Sequence, residues 1–419
     1  MPTYNPIIMY PASTAAFGVI TMECYAVGGS AQTDGPFLRG GNLYSVMQSV
    51  NNPPGNIYVM KSTDQGATWT ILDSVNSPQR HIIGVINAPT AGAYWDGVDT
   101  LTVAYNAGSL TVGGPIKLQT FDLVNEIWGP LFGTSGAPII NAVNQVYIRP
   151  DGTLIVLTNR IMSGFSAVGI RAFILASGVW SAPFNVDTNI TIGFISNASS
   201  STVIDLTTGI IHLFGRALSG GTPLVWYQQI LANNTLGPYE NFGATFLPTF
   251  SGKGNPIIVG ANLLLGVVDS TDTYPTLLLG TPLAAPVFSV LSSPGIDPGF
   301  PGAGSTNTLQ PTLASDGTNI FAVYLFFNTG FTGVLVRLAQ TVNIANPLLG
   351  WSGSEIYDGS TGTILNNSGQ YPSLSAVAGQ LMITVQANAP GEYYGQPTAY
   401  WMMLGSTPLL SDPWFHLFT

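Results

Sequence analysis

Carboxylates, arginines and histidines are the side chains here with the types to do chemistry on a polar substrate. A paired-carboxylate hydrolase needs two acids converging on one bond, one to give a proton and one to act as base or nucleophile. The five glutamates (Glu23, Glu126, Glu240, Glu355 and Glu392) are widely spaced, and none has a recognisable catalytic context. A clamp for an anionic substrate needs guanidinium groups, and the chain has seven: Arg39, Arg80, Arg149, Arg160, Arg171, Arg216 and Arg337. His81, His212 and His416 show neither HxH nor HExxH spacing, so they read as ordinary surface or core histidines. Asp269 and Asp272 in VVDSTDTY have oxygens suited to Ca²⁺, but a loop of solvated acids is the simpler reading. GAGSTN (302–307) lacks the lysine and the strand–helix context of a phosphate loop. Cys24, the single cysteine, excludes an intrachain disulfide and a cysteine-based zinc site, and it reads as a small buried hydrophobe. The expectation is no catalytic set, no metal and no cofactor.

The elements that would position such groups follow from composition. Charged residues make up 7% of the 419, against roughly 25% in ordinary soluble domains, while apolar residues reach 46%. That combination excludes disorder by charge repulsion and permits a large core. Forty-nine Gly and thirty Pro argue for many turns and little helix. A net charge of −10 with ten cations excludes a track for nucleic-acid phosphates. No stretch resembles a membrane-spanning helix, and the N-terminus, broken by Pro2, Pro6 and Pro11, lacks a basic leader region. Sequons at Asn189, Asn197, Asn233 and Asn366 are expected by chance in a chain this rich in Asn, Ser and Thr.

Repeats supply the architecture. Strand-like anchors recur at Leu43, Leu101, Leu154, Ile211, Leu263, Ile320 and Leu381, spaced by 52 to 61 residues. A second anchor, an aromatic closing each unit, falls at Trp69, Trp128, Trp180, Tyr239, Phe288, Trp351 and Trp414. The two anchors drift together, 25 to 33 residues apart, which chance does not produce across seven units. Pro256, Pro311 and Pro372 precede the first anchor and suit the start of a strand, where a missing N–H is tolerated. About four short strands per unit at this period are the pattern of propeller blades. The chain is therefore expected to be all-β: a seven-bladed β-propeller of four-stranded antiparallel blades, with a six-bladed sialidase-like ring as the alternative. Residues 36–419 form the propeller. Residues 1–35 form an N-terminal strand or arm, which either closes the ring, with 15–27 as the strand, or docks on a partner.

Residues 62–69 read STDQGATW, that is Ser-x-Asp-x-Gly-x-Thr-Trp, formed by Ser62, Asp64, Gly66, Thr68 and Trp69. This resembles the Asp-box (BNR) repeat of the sialidase-like β-propeller superfamily, placed between the third and fourth strands of a blade. The motif's chemistry is structural: Asp64 accepts N–H bonds in its own turn, Gly66 supplies φ > 0, and Trp69 packs between blades. Units two to seven keep the closing aromatic without the Ser, Asp and Gly. Sialidases of this superfamily clamp a substrate carboxylate with three arginines and use a Tyr–Glu nucleophile pair with an Asp acid/base. Only Arg39, in PFLRGG, falls where the first arginine motif would, and it lacks the Ile-Pro that follows there, so the catalytic set is not carried over. The resemblance points to a non-catalytic virion or surface member.

The favoured function is a non-enzymatic structural or binding propeller on the outside of a phage or virus particle: a spike, fibre or capsid decoration. Its composition looks extracellular, with abundant Asn, Thr, Ser and Gly, scarce Lys and no export signal. The expected partners are other virion or surface proteins through the N-terminal segment, and host glycans on loops bearing Tyr and Trp. The alternatives are a sialidase-like glycoside hydrolase and a bacterial surface scaffold or lectin propeller.

Overall fold

The computed structural model describes residues 7–8, 34–49, 55–64, 70–72, 83–85, 91–106, 113–140, 142–162, 166–186, 200–219, 222–247, 256–270, 274–291, 295–298, 311–327, 334–358, 370–377, 380–388 and 397–406. Alternating and continuous apolar runs separated by Gly-containing turns fold into antiparallel sheets whose strands follow one another in sequence. Sheet one contains Asp34–Arg39, Asn42–Ser49, Gly55–Ser62 and Thr70–Leu72. Sheet two contains Ala91–Trp95, Thr100–Asn106, Gly114–Asp122 and Ile127–Phe132. Sheet three runs Ala142–Ile148, Leu154–Met162, Ser166–Ala176 and Val179–Trp180; sheet four runs Ser200–Ile204, Ile211–Ser219, Thr222–Ile230 and Leu236–Asn241. In sheet five, Phe246–Leu247 and Ile257–Val259 share one edge of Asn262–Asp269, followed by Pro275–Gly280 and Ser289–Val290. Sheet six contains Thr312–Ser315, Ile320–Phe327, Val334–Thr341 and Ser352–Asp358. Sheet seven contains Gln370–Val377, Gln380–Asn388 and Pro397–Ser406, with Ile7–Ile8 as its fourth strand.

The fold is all-β and of the β-propeller class. The described residues form seven sheets, the number the two sets of anchors mark. The seventh is described by backbone pairing alone. Every first anchor lies at the first or second residue of its sheet's second strand, from Leu43 in Asn42–Ser49 to Leu381 in Gln380–Asn388. The closing aromatics Trp128, Trp180 and Tyr239 lie on fourth strands, and Phe288 and Trp351 immediately precede theirs. Trp69 and Trp414 fall outside the described residues, as does the strand expected at 15–27. The N-terminal residues that do join a sheet are Ile7, opposite Trp401, and Ile8, opposite Tyr400.

The chain divides into two compact units. In the unit of Ala12–Thr222 and Trp226–Tyr239, the first strands of sheets one to four are neighbours in order. Apolar clusters fill the space between sheets. Tyr44, Val46, Ile57 and Val59 pack on Leu101, Val103 and Phe121, while Ala104, Ile116 and Leu118 pack on Val146, Leu154 and Phe173. Strands buried on both faces explain the low charge, because polar side chains there would lose water without a partner. In the other unit, chiefly Glu240–Thr419, the first strands of sheets five, six and seven are neighbours, and Leu264 and Leu277 pack on Leu313, Ile320 and Ala339. Gly266 is needed there because a β-carbon would meet the backbone of Pro311, which opens sheet six.

Candidate functional site

Polar groups buried in these sheets form three constellations. The deepest lies in the unit containing sheets five and six. Tyr324 and Arg337 are directly paired residues on the second and third strands of sheet six, so cross-strand register sets their side chains on one face. Asp297, on the connection from sheet five, meets them there. Its Oδ2 accepts a short hydrogen bond from the Tyr324 hydroxyl and another from Arg337 Nε at 2.7 Å, and Arg337 Nε also lies 3.1 Å from the Tyr324 hydroxyl. Asp297 and Tyr324 are fully buried and Arg337 is 6% exposed. A β-carbon at Gly353 would run into the Asp297 carboxylate, so the fourth strand of sheet six closes the far side. Burial, reinforced by the Asp297 charge, pushes the Tyr324 phenol well above its usual range. A phenol held protonated and sealed from solvent is a hydrogen-bond donor. The arrangement ties the sheet five connection to sheet six.

The other two lie in the unit containing sheets one to four. Glu126, at the turn after Asp122 with φ of 56°, accepts from the Tyr44 hydroxyl at 3.0 Å and from Lys61 Nζ. Tyr44 and Lys61 belong to sheet one and Glu126 to sheet two, so this group clamps neighbouring sheets. His212 is fully buried; its Nδ1 lies 2.7 Å from the Tyr227 hydroxyl, and its Nε2 has no hydrogen-bond partner among the described residues. Burial lowers its pKa to about 4, against the pull of Asp205.

Other acids serve their own turns. Asp96 Oδ1 accepts from the amides of Val98, Asp99 and Thr100 at 2.8 to 3.1 Å. Asp151 accepts from Thr153 N, Asp205 from Thr207 N and the Thr208 hydroxyl, and Asp316 from Thr318 N and Asn319 N. The amide and hydroxyl of Thr153 hold the Asp151 carboxyl below the usual carboxylate range. For Asp205, burial pushes the pKa up, but the Thr208 hydroxyl and the neighbouring amides outweigh it and lower the pKa. All four lie in the turn between first and second strands. Asp96, Asp151 and Asp316 precede Gly97, Gly152 and Gly317 with φ of 81° to 88°, so the Asp-Gly pairs were the available sequence signal.

Ser62 and Asp64 lie at the end of the third strand of sheet one, and the Ser62 hydroxyl donates to Asp64 Oδ1 at 2.8 Å. Gly66, Thr68 and Trp69 lie outside the described residues, as do Cys24, Glu23, Arg80, His81, Asp272, Glu392, His416, GAGSTN (302–307) and the sequons at Asn189, Asn197 and Asn366. Asn233 is described, with its Oδ1 accepting from Thr235 N and the Thr235 hydroxyl. Arg39 bridges to Asp99 at 2.7 Å. Arg149 is buried, donating to the carbonyls of Gly209, Ala232 and Leu231. Arg171 donates to Asn185 at 3.2 Å. The structure does not bring the arginines into one clamp among the described residues. It also shows no cluster of three or more metal-ligating acids, histidines or cysteines among them, and no helix long and apolar enough to cross a membrane.

No family model and no curated protein matches the sequence. Among solved structures, the chain is similar to a PL25 ulvan lyase bound to -[GlcA(1-4)Rha3S]- at 11% identity and a TM-score of 0.48, covering 92% of this chain and 93% of that one. It is similar to the phage phi92 endosialidase at 10% identity and TM-score 0.48, covering 96% and 71%. The β-propeller domain of the Trilobed protease from Pyrococcus furiosus gives 10% identity and TM-score 0.43, covering 93% and 100%. At such identities and TM-scores, these likenesses assign neither a substrate nor a reaction to this chain.

Proposed function

We propose that this chain is a non-enzymatic, seven-bladed β-propeller carried on the outside of a phage or virus particle, where it binds host glycans. The observation that carries the non-enzymatic part is how the described acids are used. Asp96, Asp151, Asp205 and Asp316 accept bonds within their own turns, and Asp99, Glu126 and Asp297 pair with buried or half-buried cations. Asp151, Asp205 and Asp316, held below the usual carboxylate range by the donors of their turns, are poor general acids. Seven sheets and seven registered anchors support the blade number. Ser62, Asp64, Gly66, Thr68 and Trp69 then act as one turn staple, and residues 1–35 as the attachment or closing segment. Low charge and plentiful Asn, Ser and Thr support an extracellular or virion-surface setting. The connections between second and third strands, among them NTGFTG (328–333) and APGEYYGQ (389–396), have the aromatic and amide residues that sugar rings require.

The test pairs a glycan array with a panel of chromogenic glycosides, using the purified full chain. Binding to defined glycans without release of chromophore is the expected result. Turnover of any glycoside overturns the non-enzymatic reading, and an empty array overturns glycan binding. Mass spectrometry of purified particles tests the location, and an experimental structure with six blades refutes the blade number.

A further inference from the structure

Eleven large apolar side chains are exposed among the described residues, and eight lie at the same edge of their sheets. That edge carries the turns from first to second and from third to fourth strands. In the unit of sheets one to four they are Val98 (63% exposed), Val124, Val179 (70%) and Leu206. Leu283, Val287, Val342 and Leu349 occupy the third-to-fourth connections of sheets five and six in the other unit. Turn apices ordinarily carry Gly, Asn, Asp or Ser, so a valine or leucine there leaves apolar area in water with no gain for the turn itself.

These apices are held rigid. Asp96 fixes the Val98 turn, Asp122 accepts from Val124 N at 2.7 Å, and Asp205 accepts from the residue after Leu206. Arg39 ties its own turn to Asp99 in the next sheet, and Arg149 ties its turn to three carbonyls of sheet four. A surface already ordered loses little entropy when a partner covers it.

Charge decides what that partner is. The described turns of sheets one to four hold seven carboxylates (Asp64, Asp96, Asp99, Asp122, Glu126, Asp151 and Asp205) against Arg39, Lys61 and Arg149. All three cations are engaged, by Asp99, by Glu126 and by backbone carbonyls, while Asp96 and Asp151 are exposed. A second copy of the chain would bring acid against acid, and an anionic lipid surface would be repelled. We infer that the turn edge of sheets two to four, centred on Val98, Val124 and Leu206, is a docking surface for a protein face that carries basic side chains among aliphatic ones. Within sheets two to four, this edge is opposite the one that carries the second-to-third strand connections.

The test uses the full chain and two synthetic peptides of equal length, one alternating Lys and Leu and one alternating Glu and Leu. The expected result is binding of the lysine peptide at least tenfold tighter than the glutamate peptide and weakened by salt. Hydrogen-exchange protection should be confined to the turns of that edge, residues 96–99, 122–126, 149–153, 177–179 and 205–208. Val124→Ser with Leu206→Ser, both exposed and outside the core, should weaken binding about tenfold with an unchanged melting midpoint. No binding, equal affinity for the two peptides, or protection elsewhere overturns the proposal. Dimerisation of the chain that is lost in the double variant also overturns it, in favour of a second copy.

Discussion

Two tyrosine–carboxylate–cation groups lie in this molecule at different depths. Around Asp297 the carboxylate and tyrosine are wholly buried and the Arg337 side chain is 7% exposed. Around Glu126 the tyrosine is as deep, but the Lys61 side chain is 20% exposed. Arginine serves the sealed site because its guanidinium holds a fixed donor geometry and is weakly hydrated. Lysine serves the rim because its ammonium keeps part of its water. The same chemical triad is therefore a core element in one place and a surface clamp in the other, and removing a partner has different costs.

The comparison breaks most sharply at Asp297→Ala. That change leaves Arg337 charged and buried without its carboxylate, and a loss of about 3–5 kcal/mol in denaturant unfolding is expected. If Asp297→Ala costs no more than a change at the Glu126 site, depth is not what separates the two groups.

A titration sharpens it. His212 is as buried as Tyr324 but has no formal charge partner in direct contact, so the fold keeps it neutral. Its folded pKa of about 4 lies below the ordinary 6.5, so its contribution is complete above about pH 6.5 and is lost as the pH falls through that value to about 4. Roughly 3 kcal/mol of stability should disappear over that window, and His212→Gln should flatten the unfolding free energy plotted against pH.

At the shallower triad, Glu126→Gln keeps the shape and removes the charge. A cost of about 1–2 kcal/mol is expected, reduced in high salt because Lys61 is part-exposed. The smallest effect belongs to Asp64→Ala, which removes the Ser62 contact at an exposed turn and should cost on the order of 1 kcal/mol with ligand binding retained. An unchanged melting midpoint with abolished binding would reassign Asp64 from the turn to the ligand.

Much of the scaffold was legible in the sequence, because propeller units repeat their burial pattern. Leu101, Ile211 and Ile320 could be aligned by hydrophobicity and interval alone, and each opens the same strand of its sheet. Of the STDQGATW motif, the described residues show the Ser62 hydroxyl donating to Asp64 Oδ1. The buried polar groups were not legible. Asp297 sits in a Gly- and Pro-rich connection, 27 residues from Tyr324 and 40 from Arg337, and only the fold brings them together. Arg149 appeared as one of seven arginines, since nothing in PDG foretells that its guanidinium crosses to sheet four. His212, which the sequence left as a surface or core histidine, lies in the core, and its tyrosine partner did not show in the sequence.

The pairing of Ile7 and Ile8 with Trp401 and Tyr400 bears on the order of events during folding. Antiparallel meanders otherwise assemble from neighbours in sequence, so sheets one to six can form as the chain is made. Sheet seven cannot, because its fourth strand, Ile7–Ile8, is made long before its third, Pro397–Ser406. Bringing those strands together closes a loop of nearly the whole chain, although the entropy of closure grows only with the logarithm of length. Completion of that sheet is thus a late, non-local step, and the edge of Pro397–Ser406 stays open until it happens. A permuted chain that begins between sheets and carries Ile7–Ile8 next to Ser406 would turn this last step into a local one.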